Sequence, residues 1–131
     1  MKSGDGLIST HIFWDSDFTP EKIDRALKRG IEKTKKAYPE LDIKALYCCS
    51  WLMSPEINDA LPSSKLASFS ARFMRYPVVS GANLVHHYVF PDNIGRPVED
   101  YDEKTSLQRA LKKILINGNH IYEAAGIIPL V

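Results

Sequence analysis

The chain has 131 residues, 44% of them hydrophobic, with 17 Lys and Arg against 16 Asp and Glu and a formal net charge of +1. That is enough apolar material for one compact domain without disulfides or metal as props. So balanced a charge supplies no field to draw in nucleic acid or an acidic membrane surface.

Met1 to Gly6, with Ser3, Gly4 and Gly6, reads as a flexible lead-in, and residues 7–131 as the domain proper. Leu7 to Trp14 is rich in β-branched and aromatic residues and predicts a first strand. After a polar turn, Thr19-Pro20-Glu21 offers an N-cap hydroxyl, a proline at the first helical position and a carboxylate near the positive end of the helix dipole. The spacing predicts a helix from Pro20 to Ala37. Ile23, Leu27, Ile31 and Thr34 form its apolar stripe, and Lys22, Arg25, Lys28, Arg29, Lys33 and Lys36 give a basic outer face. Tyr38-Pro39 ends it.

The segment from Lys44 to Met53 contains Leu46-Tyr47-Cys48-Cys49-Ser50-Trp51-Leu52-Met53, uncharged and without a breaker, and is read as the buried central strand. Adjacent cysteines on a strand point to opposite faces, so Cys48 and Cys49 are expected as two reduced thiols, in keeping with a cytoplasmic protein. Ser54-Pro55-Glu56 starts one or two helical turns that end at Leu61-Pro62. Ser63 or Ser64 then caps a short helix carrying Leu66, Phe69 and Phe73. Leu84 to Phe90 is predicted as a strand from its β-propensity, and Pro91 to Lys104 as a loop. Thr105 or Ser106 caps a last helix through Leu107, Leu111, Ile114 and Leu115 that stops at Gly118. Ile121 to Val131 is read as the final strand. Neither a bilayer-spanning apolar run nor a secretory signal is present, which predicts a soluble protein with no membrane partner.

Individual residues narrow the chemistry. His86-His87 on a strand would face opposite sides of a sheet and could not share an ion, and neither cysteine has a CxxC partner, so no metal is expected. Cysteines in such a setting are core residues before they are nucleophiles. Ser50 needs a hydrogen-bond partner, either locally or in a cleft. Arg72 and Arg109, each inside an apolar helical pattern, must snorkel or pair with a carboxylate or a phosphate. No glycine-rich nucleotide loop occurs.

In chain order, Ile8-Ser9-Thr10-His11-Ile12, Thr19-Pro20-Glu21, Cys49-Ser50-Trp51-Leu52 with Pro55, Leu61-Pro62 with Ser64, Phe69, Arg72-Phe73, Val89-Phe90 and Thr105-Ser106-Leu107-Gln108-Arg109-Ala110 with Gly118 resemble the C-terminal domain of bacterial GNAT-like acyltransferases. The resemblance runs from about Leu7 to Leu130. It implies an α/β (α+β) fold: a mixed β-sheet flanked by helices, the C-terminal half of a GNAT-like architecture. The implied activity is transfer of an acyl group from acyl-CoA or acetyl-CoA to an amine or hydroxyl acceptor. Members of the family look about twice this length, so an N-terminal domain or self-association through an exposed face is the expected partner. Two departures stand out. The GNAT pyrophosphate loop has no match near Asp15 to Pro20, and Ser64-Lys65 replaces an expected Ser-Asn.

Under this resemblance residue chemistry nominates Ser50, Tyr47 and His11 for the transfer step, and Arg72, Arg109 and Gln108 for holding the coenzyme. A noncatalytic ligand-binding or assembly module on the same fold is the alternative.

Overall fold

The eight residues Ile43–Ser50 form β2, an interior strand on which the rest of the sheet is assembled. The computed structural model describes residues 1–13, 15–78 and 84–130. β1 (Gly6–Ser9), β2, β3 (Met74–Pro77) and β4 (Ala124–Pro129) lie in the order β1-β2-β4-β3. β1 runs parallel to β2, whereas β4 is antiparallel to both its neighbours, so the sheet is mixed. A parallel pair needs a long crossover. The 18-residue helix α1 (Pro20–Ala37) provides it, with the boundaries its sequence predicts. The remaining helices are α2 (Pro55–Ala60), α3 (Lys65–Ser70), α4 (Leu84–Val89) and α5 (Ser106–Ile116).

Several sequence expectations change on contact with the fold. β1 is shorter than Leu7 to Trp14: pairing stops at Ser9, one further amide of Thr10 donates to the Tyr47 carbonyl at 2.7 Å, and Phe13 is 74% exposed. Trp14 lies outside the described residues. β2 ends at Ser50 rather than Met53, because the Ser50 hydroxyl accepts the Leu52 amide and turns Trp51–Met53 into a 3₁₀ segment. The Thr19 hydroxyl donates to Asp17 instead of capping α1.

The largest correction concerns Leu84 to Phe90. It forms helix α4, not a strand. Val85 and Val89 are buried while His87 and Tyr88 are exposed, a repeat of four that suits a helix and not a pleat. Packing against Ile57, Leu111 and Ile121 overrides the local β-propensity. β3 leaves no signature in the sequence, since an edge strand of Met, Arg, Tyr and Pro, exposed throughout, shows no apolar alternation. The final strand is confined to Ala124–Pro129, and Val131 lies outside the described residues. α3 closes at Ser70, so Phe73 and Arg72 fall just beyond it. The expected loop before α5 contains two short 3₁₀ turns, Pro91–Asn93 and Val98–Asp100.

Two apolar clusters hold these elements together. One gathers Ile57, Val85, Phe90, Tyr101, Leu111 and Ile121 between α2, α4 and α5. The other joins Cys48, Met53, Phe69, Phe73 and Ala124, with Ile23 of α1 against it. Gly126 lies against this second cluster, where a Cβ would come within 2.8 Å of the Phe73 Cβ. On the opposite face of the sheet Leu7, Cys49, Met74 and Tyr76 remain exposed.

Candidate functional site

Because β1 stops at Ser9 while β2 continues to Ser50, a gap opens at the carboxyl ends of the two parallel strands. Open α/β sheets characteristically bind ligands there. A cavity of about 580 Å³ occupies this position, with walls that include His11, Phe18, Ser50, Trp51, Gln108 and Glu123. Phe18 brings in the loop before α1, Trp51 the turn after β2, and Gln108 the first turn of α5.

Ser50 is half-buried, and its oxygen already accepts the Leu52 amide at 3.1 Å. A hydroxyl so engaged keeps its own proton to donate. His11 is exposed, with Nε2 3.2 Å from the Ser9 hydroxyl. Gln108 has a structural task as well. Thr105 Oγ1 accepts the Gln108 amide at 3.0 Å, Gln108 Oε1 accepts the Lys104 amide at 2.8 Å, and Gln108 Nε2 donates to the Val89 carbonyl at 3.1 Å. The side chain therefore closes the start of α5 through the amide of Lys104, just before the N-cap Thr105, and ties it to α4.

The other three nominated residues lie away from this cavity. Tyr47 is among the residues that alternate to the open face of β2, where burial, followed by the neighbouring Cys49, raises its pKa above the ordinary phenol value. Arg72 Nε donates to Asp24 at 2.7 Å, and its terminal nitrogens donate to the carbonyls of Ser68 and Pro20, so the guanidinium fastens the end of α3 to α1. Arg109 is exposed and donates to the Glu103 carbonyl at 3.0 Å. The cavity thus brings together His11, Ser50 and Gln108 and leaves out Tyr47, Arg72 and Arg109.

Two features of the wall escape sequence reading. Trp51 stacks on Tyr88 with ring centroids 6.2 Å apart and planes 16° from parallel. The β-propensity of residues 84–90 puts Tyr88 on a strand, and no spacing relates it to Trp51. Glu123 is invisible as a site residue until the sheet register pairs its neighbour Ala124 with Ser50.

The electrostatics assign further roles. Burial, then the nearby Cys49, pushes the Cys48 thiol up to about 11, which keeps it protonated and unreactive at neutral pH. At the entry to α1, hydrogen bonds from Lys22 and Thr19 hold the Asp17 carboxyl well below the usual carboxylate range. Asp17 thereby ties the loop to the first turn of α1 through Thr19 and Lys22. Among the described residues no group of His, Cys, Asp and Glu is placed to hold a metal ion.

The GNAT-like C-terminal domain matches residues 1–128. The chain belongs to this family. Solved structures give this GNAT-like C-terminal domain its architectural relatives. An acyltransferase in complex with decanoyl-CoA is 23% identical, with a TM-score of 0.82 over 100% of this chain and 42% of its own. An acyltransferase in complex with decanoyl-CoA and teicoplanin is 21% identical, with a TM-score of 0.79 over 94% of this chain and 40% of its own. A third, an acyltransferase in complex with CoA and 10C-teicoplanin, is 20% identical, with a TM-score of 0.79 and the same coverage. The likeness establishes a mixed sheet flanked by helices of the GNAT-like acyltransferase type, and the chain spans about two fifths of the length of these relatives. No curated protein matches the chain. Among the described residues no helix is long and apolar enough to cross a membrane.

Proposed function

We propose that this GNAT-like C-terminal domain, residues 7–131 after a short lead-in, binds an acyl-CoA and serves the transfer of its acyl group to an amine or hydroxyl acceptor. The observation that carries the reading is the cavity at the ends of β1 and β2, with the Ser50 hydroxyl available to donate into it. Support comes from the complexes with decanoyl-CoA and CoA formed by the structural relatives. In the transfer the acceptor's nitrogen or oxygen attacks the thioester carbonyl. A C–N or C–O bond forms, the C–S bond breaks, the acceptor gives up a proton to a base and the departing thiolate takes one. Ser50 is suited to donate to the developing oxyanion and His11 to receive the acceptor's proton, while Gln108 braces the wall. Tyr47, Arg72 and Arg109 have no part in this reading, since they lie outside the cavity.

The two free cysteines suit a reducing, cytoplasmic setting. The exposed face with Leu7, Met74 and Tyr76 is proposed to be covered by the remainder of a longer protein or by a second copy. A protein that remains strictly monomeric by light scattering removes the second copy. A noncatalytic module on the same fold is the second reading, favoured by the carboxylate-pinned loop before α1.

Thermal shift with CoA, acetyl-CoA and decanoyl-CoA tests the first reading. A ligand at 100 times its Kd adds about 2.7 kcal/mol to the folded state, and Ser50→Ala is expected to slow turnover more than it weakens binding. An unmoved melting curve with all three coenzymes overturns it.

A further inference from the structure

Helix α1 carries seven Lys and Arg against three Asp and Glu, a balance of +4 in a chain whose total is +1, so everything outside α1 carries −3. Ile23, Leu27, Ile31 and Thr34 are among its half-buried residues, and Ile23 packs into the core. On the opposite side Arg25, Arg29, Lys33 and Lys36, at i, i+4, i+8 and i+11, form one exposed line. At 1.5 Å per residue that line is about 16 Å long. Two other charges of the helix are engaged, Lys22 by Asp17 and Asp24 by Arg72. Among the described residues no ion pair engages the four cations of the line.

Glu21 and Glu32 border one edge of the line, and Ala26, Gly30 and Ala37 form the other, an exposed ledge without long side chains. A Cβ on Gly30 would meet nothing within 4 Å. Glycine inside a helix is destabilising, and here it keeps the flank of the cations low and open. A bilayer is a poor match for this surface, because an interfacial helix inserts an apolar face and that of α1 is turned inward. Single-stranded nucleic acid stacks on aromatic rings, and α1 has none. A duplex spreads phosphates over two strands, which would meet the bordering glutamates and the net negative remainder of the chain. One row of carboxylates at the same spacing meets neither conflict. We propose that α1 is a docking surface for an acidic helix of a partner protein, laid along the Ala26–Gly30 ledge with its carboxylates on Arg25, Arg29, Lys33 and Lys36. Docking there is independent of the function proposed above, since none of these residues lines the cavity at the strand ends.

The test is an amide NMR titration with a stapled, alanine-rich helical peptide bearing a glutamate at every fourth position, beside a stapled peptide of the same composition in scrambled order. The expected result is saturable shifts along residues 25–36, with affinity falling about tenfold between ~50 mM and ~300 mM salt. Arg29→Glu combined with Lys33→Glu should weaken binding about tenfold. Gly30→Leu keeps every charge and raises helix propensity, yet should weaken binding about fivefold by filling the ledge. The spectra of the variants report whether they are folded. Absence of saturable shifts, equal affinity for the scrambled peptide, or undiminished binding by either folded variant overturns the inference. So does displacement of the peptide by CoA, which would give the cations to a coenzyme phosphate, or tighter binding of a DNA duplex or of phosphatidylglycerol vesicles.

Discussion

Arg72 Nε donates to Asp24 Oδ1 across 2.7 Å, joining the segment after α3 to the second turn of α1. The two residues are 48 apart in sequence, and the Arg72 side chain is mostly buried while Asp24 is exposed. The same guanidinium donates to the carbonyls of Ser68 and Pro20, so its removal loses these backbone contacts as well as breaking an ion pair. Arg72→Ala should cost on the order of 1–2 kcal/mol in denaturant unfolding, and Asp24→Asn distinctly less. Equal losses would mean that the ion pair, not the backbone anchoring, carries the effect.

Gly126 tests how tightly the sheet closes over α3. A Cβ there would approach the Phe73 Cβ to 2.8 Å and the Met53 Cε to 3.0 Å. The methionine tip can move aside, but the Phe73 Cβ is fixed to the backbone. Gly126→Val is expected to destabilise by roughly 1–3 kcal/mol through overpacking, read as a lowered midpoint with an unchanged denaturant slope. A variant as stable as the parent would mean that β3 and β4 separate more freely than their register suggests.

His86 gives the chain a pH dependence of known sign. Its Nδ1 lies 2.8 Å from the Tyr101 hydroxyl, and burial, then the charges of His87 and His120, hold its pKa below the ordinary 6.5. The unfolded chain thus takes up this proton at a higher pH than the folded one. The contribution is complete above pH 6.5 and is lost as pH falls from there through the folded value. His86→Gln should flatten the stability profile between about pH 7 and pH 5. Urea midpoints across that range decide it, and an unchanged slope in the variant would assign the effect elsewhere.

The start of α5 is held by Thr105 and Gln108 together. Thr105→Ala removes the acceptor for the Gln108 amide and should cost about 1 kcal/mol. Gln108→Glu keeps an acceptor for the Lys104 amide but loses the donor to the Val89 carbonyl. The glutamate variant should therefore leave α5 capped yet loosen α4, seen as faster amide exchange near Val89 with little change around Lys112. Exchange that rises equally in both helices would contradict this division of labour.

Short-range chemistry makes much of this protein legible in its sequence. Pro20 at a helix start, an apolar repeat through Ile31 and a stop before Pro39 depend on residues within a turn or two of one another, and α1 appears with those bounds. The uncharged run through Cys48 places β2 inside the sheet for the same reason, and the ordered segments from Cys49 to Arg109 point to the family that the chain belongs to. Helix α4 was hidden because Val, His and Tyr satisfy a strand as readily as a helix, and only burial of Val85 and Val89 against α5 and Ile121 selects the helix. The site divides along the same line. Ser50 announced itself as a hydroxyl in an apolar run, whereas the Trp51–Tyr88 stack and the wall position of Glu123 depend on which strands pair and in what register. Those relationships span dozens of residues, and no local pattern encodes them.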